Sequence, residues 1–389
     1  MSIITTTAEL AEFCARLASA PFVTVDTEFM RESTYWPKLC LVQVAGPDEA
    51  RAIDPLADGL DLAPLLDLLR NESVLKVFHA ARQDLEIFHK LMGGELPKPL
   101  FDTQIGAMVC GFGDQASYET LVNKLANAQV DKSSRFTDWS KRPLSDRQIT
   151  YALSDVTHLR TVYKKIATRL EKSGRTHWLD DEIANMLDPG IYTVKPEEAW
   201  LRLKPRSNNP RFLGILREIA AWREREAQYR DIPRQRILRD EALLEVASDP
   251  PDNAEQLSRV RGLSRGTAEG RIGEGLLAAV VRAKALPADT LPQVEREAPL
   301  PRGMGPLVEL LKVLLKLKCD ENDVAQKLVA NSSDLDQIAA DDAAAVSALT
   351  GWRREIFGND ALALKHGRLA LAADGFKIKE IRLETPVTG

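Results

Sequence analysis

Four acids in the first half of the chain, Asp26, Glu28, Asp84 and Asp155, are of a type that could hold a hard metal ion, and Tyr151 stands close to the last of them. Asp26-Thr27-Glu28 ends an apolar, β-branched run, FVTVD. Alternate strand residues share a face, so the two acids point the same way. Like charges side by side repel unless a cation sits between them. Carboxylate oxygens are the ligands that Mg2+ or Mn2+ takes. Tyr151 and Asp155 stand four apart in a helical pattern and share one helix face. That helix is otherwise apolar at Ile149, Ala152, Leu153, Val156 and Leu159, so an acid near its packing face needs a partner. Each feature also has an ordinary explanation. The first two acids suit a solvated strand end, and Asp84 suits a helix cap. Asp155 could pair with Arg160, with Tyr151 a half-buried core aromatic.

The elements that must position these residues alternate in type. Residues 22–26, 39–44, 51–53, 75–78 and 100–102 read as strands, and 62–69 and 84–92 as helices. Gly46-Pro47-Asp48 is turn chemistry, and Gly93-Gly94 breaks the second helix. Strands mixed with helices over about 170 residues predict an α/β domain with a mixed five-stranded sheet. The second half is helical in pattern. A polar stretch at 204–210 and a proline-bearing one at 285–301 mark boundaries. The expected organisation is an α/β domain over 1–190, a linker at 191–210 and an all-α module at 211–285. A second linker at 286–302, a second all-α module at 303–378 and a loose polar tail at 379–389 complete it.

The chain has 389 residues, 44% of them hydrophobic, which excludes global disorder and allows two or three domains. Its net charge of -5 counts against a uniformly basic nucleic-acid binder, yet a local patch suffices for binding. Cys14, Cys40, Cys110 and Cys319 form no CxxC pair, which argues against a zinc ribbon or a thioredoxin-like site. They read as buried thiols in a reducing compartment. The N-terminus lacks a signal-peptide pattern, and no apolar run approaches the roughly 18 residues of a membrane span. A cytoplasmic monomer is expected, since no apolar heptad seam is present.

The order D-x-E, then D, then Y-x-x-x-D resembles the three motifs of the DEDD exonucleases, tyrosine subgroup. The stretches VDTEFMRESTYWPKLCLVQVAG and HAARQDLEIF, and the run YETLVNKLANAQVDKSSRFTDWSKRPLSDRQITYALSDVTHL, resemble the ribonuclease D family. Asp131-Lys132, Asp138-Trp139, Arg142-Pro143-Leu144 and Gln148 match its smaller elements. His79 and Ala128 depart from wider patterns without touching an acid. In the helical half, the segment beginning LREIAAWREREAQYRDIP resembles the HRDC domain shared by RecQ helicases and ribonuclease D. PLVELLKVLLKLK and GWRREIFGNDALALKHGRLAL resemble a more divergent copy.

The resemblance implies a ribonuclease H-like fold and 3′–5′ hydrolysis of RNA to nucleoside 5′-monophosphates, in tRNA precursor processing. It implies two divalent ions, Mg2+ or Mn2+, about 4 Å apart. Asp26 would bridge them, Glu28 and Asp155 would hold one, and Asp84 would reach the other through a water. Tyr151 would orient the attacking water. Phe29 and Trp36 are candidates to stack on bases, and Lys132 and Arg142 to neutralise phosphates. Their alternatives are core packing and a solvated surface. His79 and His158 are expected to be structural. Residues 211–240 hold eight Arg against five acids, and the HRDC resemblance favours a backbone-binding stripe over a salt-bridged face. Two rival readings remain: a DNA exonuclease, which shares the chemistry, and a non-catalytic RNA-binding scaffold, which the full set of acids disfavours.

Overall fold

The computed structural model describes residues 3–131, 137–205, 207–293, 301 and 303–383. The first part is built on a six-stranded mixed sheet in the order β1-β4-β3-β2-β5-β6. Its strands are β1 (Ile3–Ile4), β2 (Phe22–Met30), β3 (Lys38–Ala45), β4 (Ala50–Ile53), β5 (Leu75–Phe78) and β6 (Leu100–Asp102). The expected sheet had five strands. The sixth, β1, is two residues long and pairs parallel with β4, too short to show an alternating pattern. β2 runs past Asp26 to Met30, so Glu28 and Phe29 also lie in the strand.

β2 is central. It pairs antiparallel with β3 and parallel with β5. Helices α1 (Thr7–Leu17), α2 (Ala63–Arg70) and α3 (Arg82–Leu91) contribute to one core with Val23, Val25, Val42 and Val44. α4 (Thr103–Val109), the short α5 (Tyr118–Leu121) and the long α6 (Asp146–Ser173) serve the other side. α6 starts at a capping box, Ser145 with Gln148. Its buried residues Ala152, Val156, Leu159, Val162, Ile166 and Leu170 recur at three and four, the stripe that fits a sheet face. Thr24 Oγ1 donates to the Val156 carbonyl at 2.8 Å and ties α6 to β2.

The helical part contains α7 (Asp180–Met186) and α8 (Pro210–Arg230), then shorter helices to Lys284. A further helix, Gly305–Asn322, begins the last group. That group is not all-α. Residues expected at its end and in a loose tail form an antiparallel hairpin, Leu369–Asp374 with Lys377–Arg382. The second strand, KIKEIR, is too charged to read as a strand by hydropathy. Lys318 holds it at 2.6 Å through Glu380, and Asp360, 2.6 Å from Lys318, pairs with Arg382 of the same strand.

The last group folds back onto the first domain. One hydrophobic core includes Met108, Leu170 and Trp178 together with Leu311, Leu328 and Trp352. Trp178 stacks on Trp352 with ring centroids 4.1 Å apart and 6° between planes. The buried Arg353 bonds Asp181 at 2.6 Å and Glu182 at 2.8 Å on α7. Among the described residues, no helix is long and apolar enough to cross a membrane. Trp352→Ala removes a buried stacked ring and is expected to cost about 3–5 kcal/mol in urea unfolding. A loss under about 1 kcal/mol would show that the stack does not tie the two parts together.

Candidate active site

Asp26 and Glu28 project from one face of β2 toward α6, the face on which Thr24 meets Val156. Asp155 meets them from α6. Asp26, Glu28 and Asp155 can each place a carboxylate oxygen so that all lie within 4.8 Å of one another. Asp84 stands just beyond this trio. It is buried in the first turn of α3, and the Thr27 hydroxyl donates to its carboxylate. Thr27 alternates with Asp26 and Glu28, so this contact holds Asp84 at the flank of the strand. The register between β2 and β3 shifts just after Glu28, opposite Cys40. Such an irregularity re-aims the side chains that follow.

The loop into α3 is locked by a residue that the sequence did not single out. Asp102 is buried and accepts from the backbone N–H of Ala80 at 3.1 Å and Ala81 at 2.8 Å. Ala80 adopts a left-handed φ of 56°, rare for a residue with a Cβ. The carboxylate thus holds the turn that delivers Asp84.

A cleft of about 560 Å³ opens over Asp26, Glu28 and Asp155. Phe29 and Tyr151 line it, as do Tyr118, Gln83 and His79. The Tyr151 hydroxyl hydrogen-bonds the Asp155 carboxylate. Tyr118 donates to the Asp155 backbone carbonyl and is a further residue not singled out in sequence. Thr103 gives its one hydroxyl proton to the Phe78 carbonyl at 3.0 Å, so it accepts from Nδ1–H of His79 at 3.0 Å. Burial keeps the His79 imidazole below its usual range, hence neutral, with Nε2 left as an acceptor. Gln43, opposite Asp26 across the strands, is fully buried, and its amide has no partner among the described residues.

The other expected contacts fall elsewhere. All five N–H donors of Arg142 are spent. It forks onto Asp54 with two 2.6 Å bonds and donates to the carbonyls of Trp139, Lys141 and Cys40 at 2.7–2.8 Å. This corrects the phosphate-binding expectation, since a phosphate would have to break that set. Trp36 is not at the cleft. It lies edge-on to Tyr35 at 4.7 Å under Lys90, and its backbone N–H donates to Asp231 of the helical part at 2.9 Å. Lys132 lies outside the described residues. Arg160 bonds the Gly46 and Pro47 carbonyls rather than Asp155. Most of the expected arginine stripe is ion-paired: Arg217 with Glu218, Arg223 with Asp240, Arg225 with Glu197, Arg230 with Glu226 and Arg234 with Glu224. Arg236 and Arg239 are exposed.

The clustered acids resist ionisation. Burial raises the Asp26 carboxyl to about 6. Burial and then the Asp26 charge raise Asp155 to about 8. Burial, then the charges of Asp26, Asp155 and Asp84, push Glu28 to about 10. Burial and Asp26 also hold Asp84 well above the usual carboxylate range. Hard oxygen donors that repel one another at this spacing fit a divalent cation, whose charge would offset the repulsion.

Folded-state values above the unfolded ones, near 4, mean that the folded chain holds these protons more tightly. That stability is complete below about pH 4 and is lost as pH rises through the folded values. In chelator, the melting temperature should therefore fall between about pH 4 and about pH 10, and Asp155→Asn should flatten the fall. An Asp155→Asn protein that melts below its parent at the alkaline end would show that this repulsion is not felt.

Comparison with known proteins agrees with this architecture. Residues 1–171 match a 3′–5′ exonuclease family model, and residues 212–280 match the HRDC domain. Ribonuclease D of Gluconacetobacter diazotrophicus is 54% identical over 97% of this chain and 96% of its own. That of Granulibacter bethesdensis is 53% identical over 98% and 96%. The crystal structure of Escherichia coli RNase D, an exoribonuclease involved in structured RNA processing, superposes with a TM-score of 0.79 at 32% identity, covering 93% of this chain and 97% of that one. At such identity over nearly its whole length, and with the exonuclease and HRDC domains in this order, the chain belongs to the ribonuclease D family of 3′–5′ exoribonucleases.

Proposed function

We infer that the acidic cleft hydrolyses the last phosphodiester at an RNA 3′ end with two divalent cations, Mg2+ or Mn2+. Its substrates are tRNA precursors and other structured RNAs with 3′ tails. The observation that carries this reading is the meeting of Asp26, Glu28 and Asp155 within 4.8 Å, with the Tyr151 hydroxyl on Asp155. Divalent cations, when bound, supply the charge that acidifies a water and balances the leaving oxygen. Asp26, Glu28 and Asp155 would hold them, with Asp84 contributing from the flank. Tyr151 orients the attacking water, a role suited to a phenol with a reference pKa near 10 that is too weak a base to ionise it. Phe29 stacks on the terminal base. Water adds to phosphorus, the bond to the 3′ oxygen breaks, and that oxygen takes a proton. A nucleoside 5′-monophosphate leaves.

The buried free thiols suit a reducing cytoplasm. The chain's packing of its own helical part against its first domain suits a monomer. We take 211–285 and 303–378 as separate modules, the second an HRDC-like copy that its hairpin extends to Arg382.

A 3′-tailed RNA and its DNA counterpart, each with Mg2+ and with chelator, test the reading. Release of 5′-monophosphates from RNA, stopped by chelator, is expected; equal or faster release from DNA would overturn the RNA assignment. Asp26→Asn should reduce hydrolysis to background while the protein still melts cooperatively. Tyr151→Phe should lower kcat about tenfold or more with little change in KM. An unchanged kcat at saturating RNA would remove Tyr151 from the chemistry.

A further inference from the structure

We propose that a second cavity, between the exonuclease domain and the first helical module, binds backbone phosphates of the RNA strand that lies outside the acidic cleft. The cavity measures about 480 Å³. Arg31, Arg82, Arg202, Arg223 and Arg234 line it, against two acids, Glu86 and Asp240. Such an excess of positive charge is notable in a chain of net charge -5.

Three of these arginines have structural work. Arg223 is buried and bonds Asp240 at 2.6 Å and the Leu238 carbonyl at 2.8 Å. Arg234 bonds Glu224 at 2.8 Å and the Tyr35 hydroxyl at 3.0 Å. Arg31 bonds Glu86 at 2.6 Å. Arg82 and Arg202 are exposed, and neither guanidinium makes a hydrogen bond or ion pair among the described residues. Two guanidinium forks facing one cavity, with their counter-charges already used by neighbours, suit the paired oxygens of a phosphate.

The cavity and the acidic cleft are lined by neighbouring residues of the chain. Arg82 lines it, while Gln83, the next residue, lines the cleft. Arg31 lines it, and Phe29 lines the cleft two residues earlier on β2. A strand whose 3′ end lies over Asp26 and Glu28 would pass from one to the other over the start of α3. Its walls come from both domains: the module lends Arg223 and Arg234 of the expected stripe, both already bonded, while the free guanidinia of Arg82 and Arg202 lie outside the module.

This inference rests on the cleft being the site of RNA 3′-end hydrolysis, and the test separates the two. The probe is a labelled single-stranded 12-nucleotide RNA, with binding followed in chelator over a range of salt. Arg82→Gln/Arg202→Gln is compared with the parent and with a charge-matched control, Arg16→Gln/Arg265→Gln. Losing two phosphate contacts should weaken binding about tenfold or more and flatten the slope of log K against log salt by about 1.4. In Mg2+, the same variant should lose more kcat/KM on the 12-nucleotide RNA than on a dinucleotide. An unchanged affinity and slope would overturn the proposal. So would an equal loss in the control, or a variant-sensitive affinity for a nucleoside 5′-monophosphate with RNA binding unaffected. A parent that binds RNA in this way but hydrolyses none would sink the function of the cleft and leave the cavity as a phosphate site.

Discussion

Carboxylates held within 4.8 Å of one another in a partly buried cleft repel, and the rest of the fold must supply what keeps them there. The force comes from packing. The apolar stripe of α6 lies on the sheet, and Thr24 clamps the Val156 carbonyl one residue past Asp155. Burial of that stripe outweighs the local repulsion, so the acids stay poised for cations rather than turning to water. Stability spent at this point is the expected cost of a site pre-arranged for charge.

The same logic governs the supporting residues. Asp102 shares the turn of Ala80 and Ala81, and Thr27 fixes Asp84 from beside Asp26. Arg142 pins the segment before α6 to Asp54 and the Cys40 carbonyl, next to the register shift that follows Glu28. A guanidinium with five bonds anchors backbone; it has no donors left for a ligand. Candidate contact and structural strut are therefore told apart by what the donors already touch.

The helical part is bound to the exonuclease domain on two fronts. Asp231 caps the backbone of Tyr35 and Trp36, and the Tyr35 side chain enters the core of the first module. Trp352 and Arg353 seal the last group against α7 and Trp178. The loop after β2 thus serves as a docking element, which explains why its aromatics sit away from the cleft.

Much of this was legible in the sequence. Strand alternation placed Asp26 and Glu28 on one face, and helical spacing placed Tyr151 with Asp155, because those relations span only a few residues. The resemblance then joined the segments. The six-stranded sheet and the terminal hairpin were not legible, since a two-residue strand and a charged one carry no hydropathic period. Nor were Asp54 as a partner of Arg142 and Asp231 as a partner of Trp36, which lie 88 and 195 residues away in the chain. Sequence alone determined which acids the site could contain and in what order. Only the tertiary structure decided which neighbours each side chain meets, because those neighbours come from distant segments brought together by the packing of the cores.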